Sequence, residues 1–301
     1  MVQPMTDQAN TLRDLIERRQ SLEIEDVSET DHRMAHTIAV TSGKGGVGKS
    51  NIALNLAIAL SEMDLRVCLL DANLGLGNID LLCGLNGYWN FSHVVTGART
   101  LKDVMLEGPK GICVIPGLGD LEKLPEFPSA IQKEIIGQLG DLEKTSDVLV
   151  IDTGTGAHTL TRRLVSAADF ALLITTTEPT SVADAYATIK SFSLNKEAVF
   201  QVLVNQSDSN QKARTVLERL QQTTRLFVRT GIESAGFIPR DDHVPQAVEA
   251  RVPFIVTNPH CPASQGIRQL ARRMNNLIIA RPTRGSFFQS LWERDSIPKA
   301  A

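Results

Sequence analysis

Cysteine is scarce in this chain of 301 residues, and its four copies, Cys68, Cys83, Cys113 and Cys261, never fall into a C-x-x-C pair. That spacing argues against a zinc site, an iron–sulfur ligand run or a redox dithiol, and leaves buried reduced thiols. Long apolar runs are also missing. No stretch approaches the ~18 residues of a membrane-spanning helix, and Met1–Asn10 lack the apolar core of a secretory signal, so the expected compartment is the cytoplasm. There is no excess of positive charge: the formal net charge is -3. A surface built throughout for nucleic acid is therefore disfavoured, and no strong direct nucleic-acid binding is expected. Aromatic residues make up only 5% of the chain, which makes the adjacent Phe287 and Phe288 near its end conspicuous.

What is present is an ordinary globular composition, 42% hydrophobic and 22% charged, sufficient to bury a sizeable core. From Thr6 to Gln20, Ala9, Leu12, Leu15 and Ile16 recur at helical spacing with Arg13, Asp14, Arg18 and Arg19 between them, the pattern of a short amphipathic helix. Glu23, Glu25, Asp26, Glu29 and Asp31 follow in a stretch poor in core-forming residues, the composition of a solvated linker. The folded domain is expected to begin near His36.

From there short β-branched runs, 37–41, 66–70, 111–115, 148–151, 170–175, 200–204 and 235–238, alternate with helix-length segments. This alternation predicts an α/β domain with a mainly parallel β-sheet covered by helices on both faces. After Arg281-Pro282 a last short helix carries Phe287, Phe288, Leu291 and Trp292 on one side and Gln289, Ser290, Glu293 and Arg294 on the other.

Gly43-Lys44-Gly45-Gly46-Val47-Gly48-Lys49-Ser50 fits G-x-x-x-x-G-K-S, follows an apolar strand and opens a helix at Asn51, the context in which this pattern is a phosphate-binding loop. Its glycines let successive backbone N–H groups converge on phosphate oxygens at a helix N-terminus. Lys49 is the candidate for the β- and γ-phosphates of ATP, and the Ser50 hydroxyl is a candidate ligand of Mg²⁺. Asn51, at the start of the helix, joins the loop among the candidate nucleotide contacts.

Lys44 is a second lysine that the general pattern does not require. With it the loop resembles the deviant Walker A signature of the MinD/ParA superfamily of P-loop NTPases, and the resemblance extends from about His36 to Ala280. It implies a fold, ATP and Mg²⁺ as cofactors, and a homodimer that sandwiches ATP, with Lys44 reaching the partner's nucleotide. Leu70-Asp71-Ala72-Asn73 resembles the family's switch I, and Ile151-Asp152-Thr153-Gly154 resembles its Walker B and switch II. Asp71 and Asp152 are thereby candidates to hold Mg²⁺ through water, as carboxylates suit that ion. Asn205 matches the family's adenine-contacting Asn. Asn73 departs from the pattern, since the family usually has Asp there, and this departure implies slow hydrolysis. Lys44, Lys49, Asn73 and Asp152 form the expected catalytic set.

Thr175-Thr176-Thr177-Glu178-Pro179-Thr180-Ser181 resembles the corresponding segment of the FlhG (FleN, YlxH) branch, which governs flagellar number and placement. Asp7-Gln8-Ala9 resembles that branch's N-terminal activator helix for the GTPase FlhF, and residues 281–301 resemble its C-terminal membrane-targeting tail. Expected partners are FlhF, flagellar C-ring components, a flagellar transcription regulator and an anionic membrane at the inner face of the cell. The expected division is 1–20 activator helix, 21–35 linker, 36–280 ATPase and 281–301 tail. Three alternatives stay open: a MinD-like division protein, a ParA-like segregation protein, and a scaffold that binds ATP and hardly hydrolyses it. The tail's apolar stripe also fits packing on its own domain.

Overall fold

Runs of β-branched and aliphatic residues, punctuated by glycines and polar turns, build a single sheet from eight strands among the described residues of a computed structural model. Those residues are 34–73, 77–192, 200–228 and 231–293. The expected activator helix at 1–20 and most of the linker lie outside them. The strands are β1 (His36–Ser42), β2 (Val67–Ala72), β3 (Leu106–Glu107), β4 (Cys113–Ile115), β5 (Val148–Thr155), β6 (Phe170–Thr175), β7 (Phe200–Ser207) and β8 (Ile232–Pro239). Their order is β3-β4-β2-β5-β1-β6-β7-β8. Only β3 runs antiparallel to its neighbour; the other pairings are parallel. The chain moves from β1 towards one edge and later returns to fill the other, so the crevice at the carboxyl end of β1 is the topological switch point where such sheets take ligands.

The longer helices are α1 (Lys49–Ser61), α2 (Ser129–Thr145), α3 (Thr159–Ala167), α4 (Pro179–Phe192), α5 (Asn210–Phe227), α6 (His243–Glu249), α7 (Pro262–Ala280) and α8 (Phe287–Glu293). Side chains alternate across the central strands with the period of two that a pleated sheet imposes. Ile38, Val40, Leu69, Val150, Leu172, Ile174 and Leu203 point to one side, where Ile52 and Leu56 of α1 and Ile267, Leu270 and Met274 of α7 complete a core. Ala39, Leu70, Leu149, Ile151, Leu173, Val202 and Val204 point to the other. There they meet Ile135 and Leu139 of α2, Leu160 and Leu164 of α3, Ile189 of α4 and Leu220 of α5. Both faces are thus covered, as the near-continuous apolar strands require.

Helix α1 is apolar nearly all round and is buried accordingly. Its one interior amide is satisfied: Asn55 Oδ1 accepts from Ile255 N at 3.0 Å and Nδ2 donates to Asn51 O at 2.8 Å. Strand β3 has no counterpart in the sequence reading, because two residues, Leu106 and Glu107, leave no periodicity to detect. β5, β7 and β8 run several residues longer than their apolar cores, since ladder pairing continues at polar residues such as Asp152, Thr153 and Glu233, and resumes at Ser207 after an irregularity at Asn205 and Gln206.

Phe287, Phe288 and Leu291 of α8 are buried, and Trp292 packs partly buried against the same core. The apolar stripe that the family resemblance directs to lipid therefore lies on its own domain, against α2 and α3.

Candidate nucleotide-binding site

The loop between β1 and α1 turns on glycines that no other residue replaces without strain. Gly46 (φ 79) and Gly48 (φ 88) are in the left-handed region. At Gly48 a Cβ would also lie 2.5 Å from Asn205 Nδ2. Gly48 is the N-cap of α1, so the free N–H groups of the first helical turn face the loop, the arrangement that binds phosphate. Val47 is buried and anchors the loop from below.

The structure brings Lys49, Asp71 and Asp152 together. Asp71 of β2 and Asp152 of β5 are register partners on neighbouring strands, and both are buried. Lys49, itself buried, places Nζ 2.5 Å from Asp152 Oδ1. Asp71 accepts from Ile79 N at 3.2 Å and from Asn73 N at 3.3 Å. Burial first, and then the neighbouring Asp152 charge, push the Asp71 carboxyl up to about 6 against those hydrogen bonds and Lys49. Gly77 allows this crowding, for a Cβ there would lie 2.4 Å from Asp71 Oδ2.

This donor set fits Mg²⁺. Two buried carboxylates side by side with one ammonium leave a local negative charge that a hard divalent ion relieves, and hydroxyl and carboxylate oxygens are the ligands it takes. Ser50, half-buried in the first turn of α1, supplies the hydroxyl. Bound there, the ion would shield the charge of a transferring phosphate.

Lys44 has partners different from those of Lys49. Its Nζ lies 2.8 Å from Glu178 Oε2 and 3.0 Å from Thr180 Oγ1, at the start of α4, with its side chain 38% exposed. The Lys44 ammonium beside it lowers the Glu178 carboxyl below its ordinary value. Glu178 and Thr180 stood out in the sequence only within the segment Thr175–Ser181, since no local pattern pairs them with a lysine more than a hundred residues earlier.

Asn205, near the carboxyl end of β7, lies against the loop and donates from Nδ2 to Val47 O at 2.8 Å. It helps to line a cavity of about 510 Å³ together with Gly46, Gly48, Asn51, Ile238 and Val248. The size and the mixed apolar and amide lining suit a base and ribose. Gln206, beside Asn205, holds a left-handed φ of 53 on the same wall. Asn73 lines a second cavity of about 400 Å³ with Asp80, Asn90, Asp120 and Glu122, on the switch I side.

Among the described residues, Asp241, His243 and Cys261 bring three potential metal-ligating atoms within 4.8 Å of one another. Those atoms already have partners. Asp241 Oδ2 accepts from Ala263 N at 2.9 Å, Oδ1 accepts from His243 N at 3.1 Å, and Cys261 Sγ accepts from Ser264 N at 3.4 Å. Burial pushes the Asp241 carboxyl up, yet the bonds from Ala263, His243 and Cys261 outweigh it and hold the group at about 2. The cluster caps the N-terminus of α7 and braces the wall of the larger cavity.

A strand ending in this loop, two carboxylates on adjacent strands and a switch-point crevice define a P-loop NTPase. The family model described as ParA: NUBPL iron-transfer P-loop NTPase matches residues 33–275, and the chain belongs to this ParA/MinD family. It is 36% identical over 251 residues to the antiactivator FleN of Pseudomonas aeruginosa, covering 82% of this chain and 89% of that protein. It is 34% identical over 264 residues to the flagellum site-determining protein YlxH of Helicobacter pylori, covering 84% and 88%. Among solved structures, the MinC:MinD cell division complex of Aquifex aeolicus aligns with a TM-score of 0.65 at 25% identity, over 80% of this chain and 96% of that one. MinD of Pyrococcus horikoshii with Mg-ADP shares the fold at a TM-score of 0.63 and 22% identity, over 81% and 97%.

Proposed function

We propose that this protein is an ATP-hydrolysing, ATP-dimerised switch that sets flagellar number and placement. The observation that carries the reading is the complete loop with its second lysine, Lys44, in a chain more than four-fifths aligned with both FleN and YlxH. Lys49 and the loop N–H groups hold the phosphates, Ser50, Asp71 and Asp152 hold Mg²⁺, and Asn51 and Asn205 border the base. Lys44 leaves Glu178 and Thr180 to reach the partner's nucleotide. Residues 1–20 stimulate an FlhF-type GTPase. The tail moves from its groove to the anionic inner face of the cytoplasmic membrane, where C-ring components and a transcription regulator are met.

Membrane binding by one short helix is weak, and two in a dimer bind far more strongly through effective concentration. ATP-driven dimerisation would thus also be the membrane switch. A hydrolysis-impaired scaffold is the second reading, favoured by Asn73, which stands at the switch I cavity where the family usually has Asp.

Two lysine variants test the main reading. Lys49→Ala is expected to abolish ATP binding in calorimetry. Lys44→Ala is expected to keep affinity within about threefold and to remain monomeric with Mg·ATP in light scattering, because only Lys44 is assigned across the interface. A Lys44→Ala protein that dimerises like wild type overturns the assignment.

A further inference from the structure

Among the described residues, four other than glycine hold a left-handed φ, and three of them, Asp64, Lys110 and Arg251, lie in turns between elements. The fourth, Gln206, stands inside β7 with a φ of 53. A residue with a Cβ is strained in that region, and such residues persist where their surroundings hold them, most often at binding sites.

The strand is irregular at the same place. From Val204 to Ser207 β7 takes three steps while β8 takes two, from Phe237 to Pro239. β7 therefore carries an extra residue, a bulge of the kind that re-aims a side chain beside a site. In a regular strand Asn205 and Gln206 would point to opposite faces. Here both line the cavity of about 510 Å³ next to the phosphate loop. The Gln206 amide comes close to the loop itself, with Nε2 3.8 Å from the position that a Cβ on Gly48 would take.

Asn205 is only partly free, because its Nδ2 donates to Val47 O at 2.8 Å and so commits one N–H to the loop. Gln206 has no hydrogen-bond partner for its side chain among the described residues. A half-buried amide without a partner, held on a cavity wall by a strained backbone, is placed for a ligand rather than for the fold. The edge of a purine presents donors and acceptors side by side, and a primary amide offers both. Sugar hydroxyls are better matched by the carboxylates of Asp242 and Glu249, which line the same cavity.

We infer that Gln206 is a second base-reading residue, whose amide shares the purine edge with Asn205 because the bulge turns it onto the same wall. The inference rests on the reading above that this cavity takes the base of ATP.

Calorimetry on the full-length protein tests it, with Gln206→Gly and Gln206→Met beside wild type and Mg·ATP, Mg·2′,3′-dideoxy-ATP and Mg·tripolyphosphate as probes. Both variants are expected to bind ATP and dideoxy-ATP about fivefold more weakly than wild type, the order of one lost neutral hydrogen bond. They should bind tripolyphosphate as wild type does, because the loop is untouched. In thermal scans without nucleotide, Gln206→Gly should leave Tm unchanged or raise it by up to about 3 °C, since glycine takes a left-handed φ freely and its greater freedom in the unfolded chain offsets part of that gain. Wild-type ATP affinity in either variant overturns the inference. So does a loss seen with ATP and absent with dideoxy-ATP, which would put the amide on the sugar, or an equal loss with tripolyphosphate, which would make it a brace of the loop. A Tm lowered by more than about 2 °C in Gln206→Gly would make Gln206 a residue of the fold, and overturns it as well. A wild-type protein that binds tripolyphosphate as tightly as ATP overturns the reading of the cavity, and the inference falls with it.

Discussion

Asn73 places a neutral amide just after β2, with its backbone N 3.3 Å from Asp71 Oδ1. It is nearly the size of an Asp but neutral, so it adds no third negative charge to a site where the Asp71 carboxyl is already pushed up to about 6. A carboxylate accepts at both oxygens and orients a water near the γ-phosphate, whereas an amide offers one acceptor and an NH₂ donor. Turnover should suffer and binding should not, because Lys49, Ser50 and the loop amides are untouched. Asn73→Asp is therefore expected to raise hydrolysis by up to about 10²-fold, equivalent to about 2.7 kcal/mol of barrier. The ATP-bound dimer should be shorter-lived, with little change in affinity. Steady-state turnover and dimer lifetime measured side by side decide this, and equal turnover removes the support for a scaffold. The loop was legible because its eight consecutive residues act through their own backbone and side chains. Glu178 was not legible as the holder of Lys44, since that pair exists only once β1 and α4 are packed.

At the scale of elements, α2 combines two burdens: it holds the tail through Glu143, whose carboxylate accepts from Phe288 N at 2.8 Å and from Ser286 Oγ at 2.8 Å, and it carries two glycines. Gly137 and Gly140 lie within the helix, and a Cβ at either meets nothing within 4 Å. Glycine in a helix interior costs about 0.5–1 kcal/mol relative to alanine through backbone entropy. Gly137→Ala and Gly140→Ala are each expected to stabilise the protein by about that amount in urea unfolding. A loss of stability would show that the helix needs space there for a partner. The apolar stripe of α8 was legible as amphipathic, but which surface it covers was not, because the pattern that suits a bilayer also suits a groove between α2 and α3. Glu143 had a faint signal, an acidic residue four positions after Leu139 on the buried side of α2.

For the whole molecule, ligand binding should read out as stability. A ligand at 100 times its Kd adds about 2.7 kcal/mol to the folded state, worth roughly 5–10 °C in a domain of this size. Mg·ATP should raise Tm by about that much and ATP with EDTA by clearly less, because the Asp71–Asp152 pair calls for the ion. Equal shifts in thermal scans would mean that the pair does not hold Mg²⁺. A peptide of Met1–Gln20, taken from outside the described residues, is expected to accelerate GTP hydrolysis by an FlhF-type GTPase severalfold at saturation, and no acceleration removes that role from residues 1–20. The sequence alone determined the loop chemistry and the α/β layering, because a phosphate loop is built from eight consecutive residues and sheet burial is written in the period of neighbouring side chains. Tertiary structure alone decided that Asp71 and Asp152 are register partners, that Lys44 is held by Glu178, and that the tail lies on Glu143 rather than apart from the domain. Each of these joins residues far apart in the chain, whose meeting depends on strand order and helix packing rather than on any local preference.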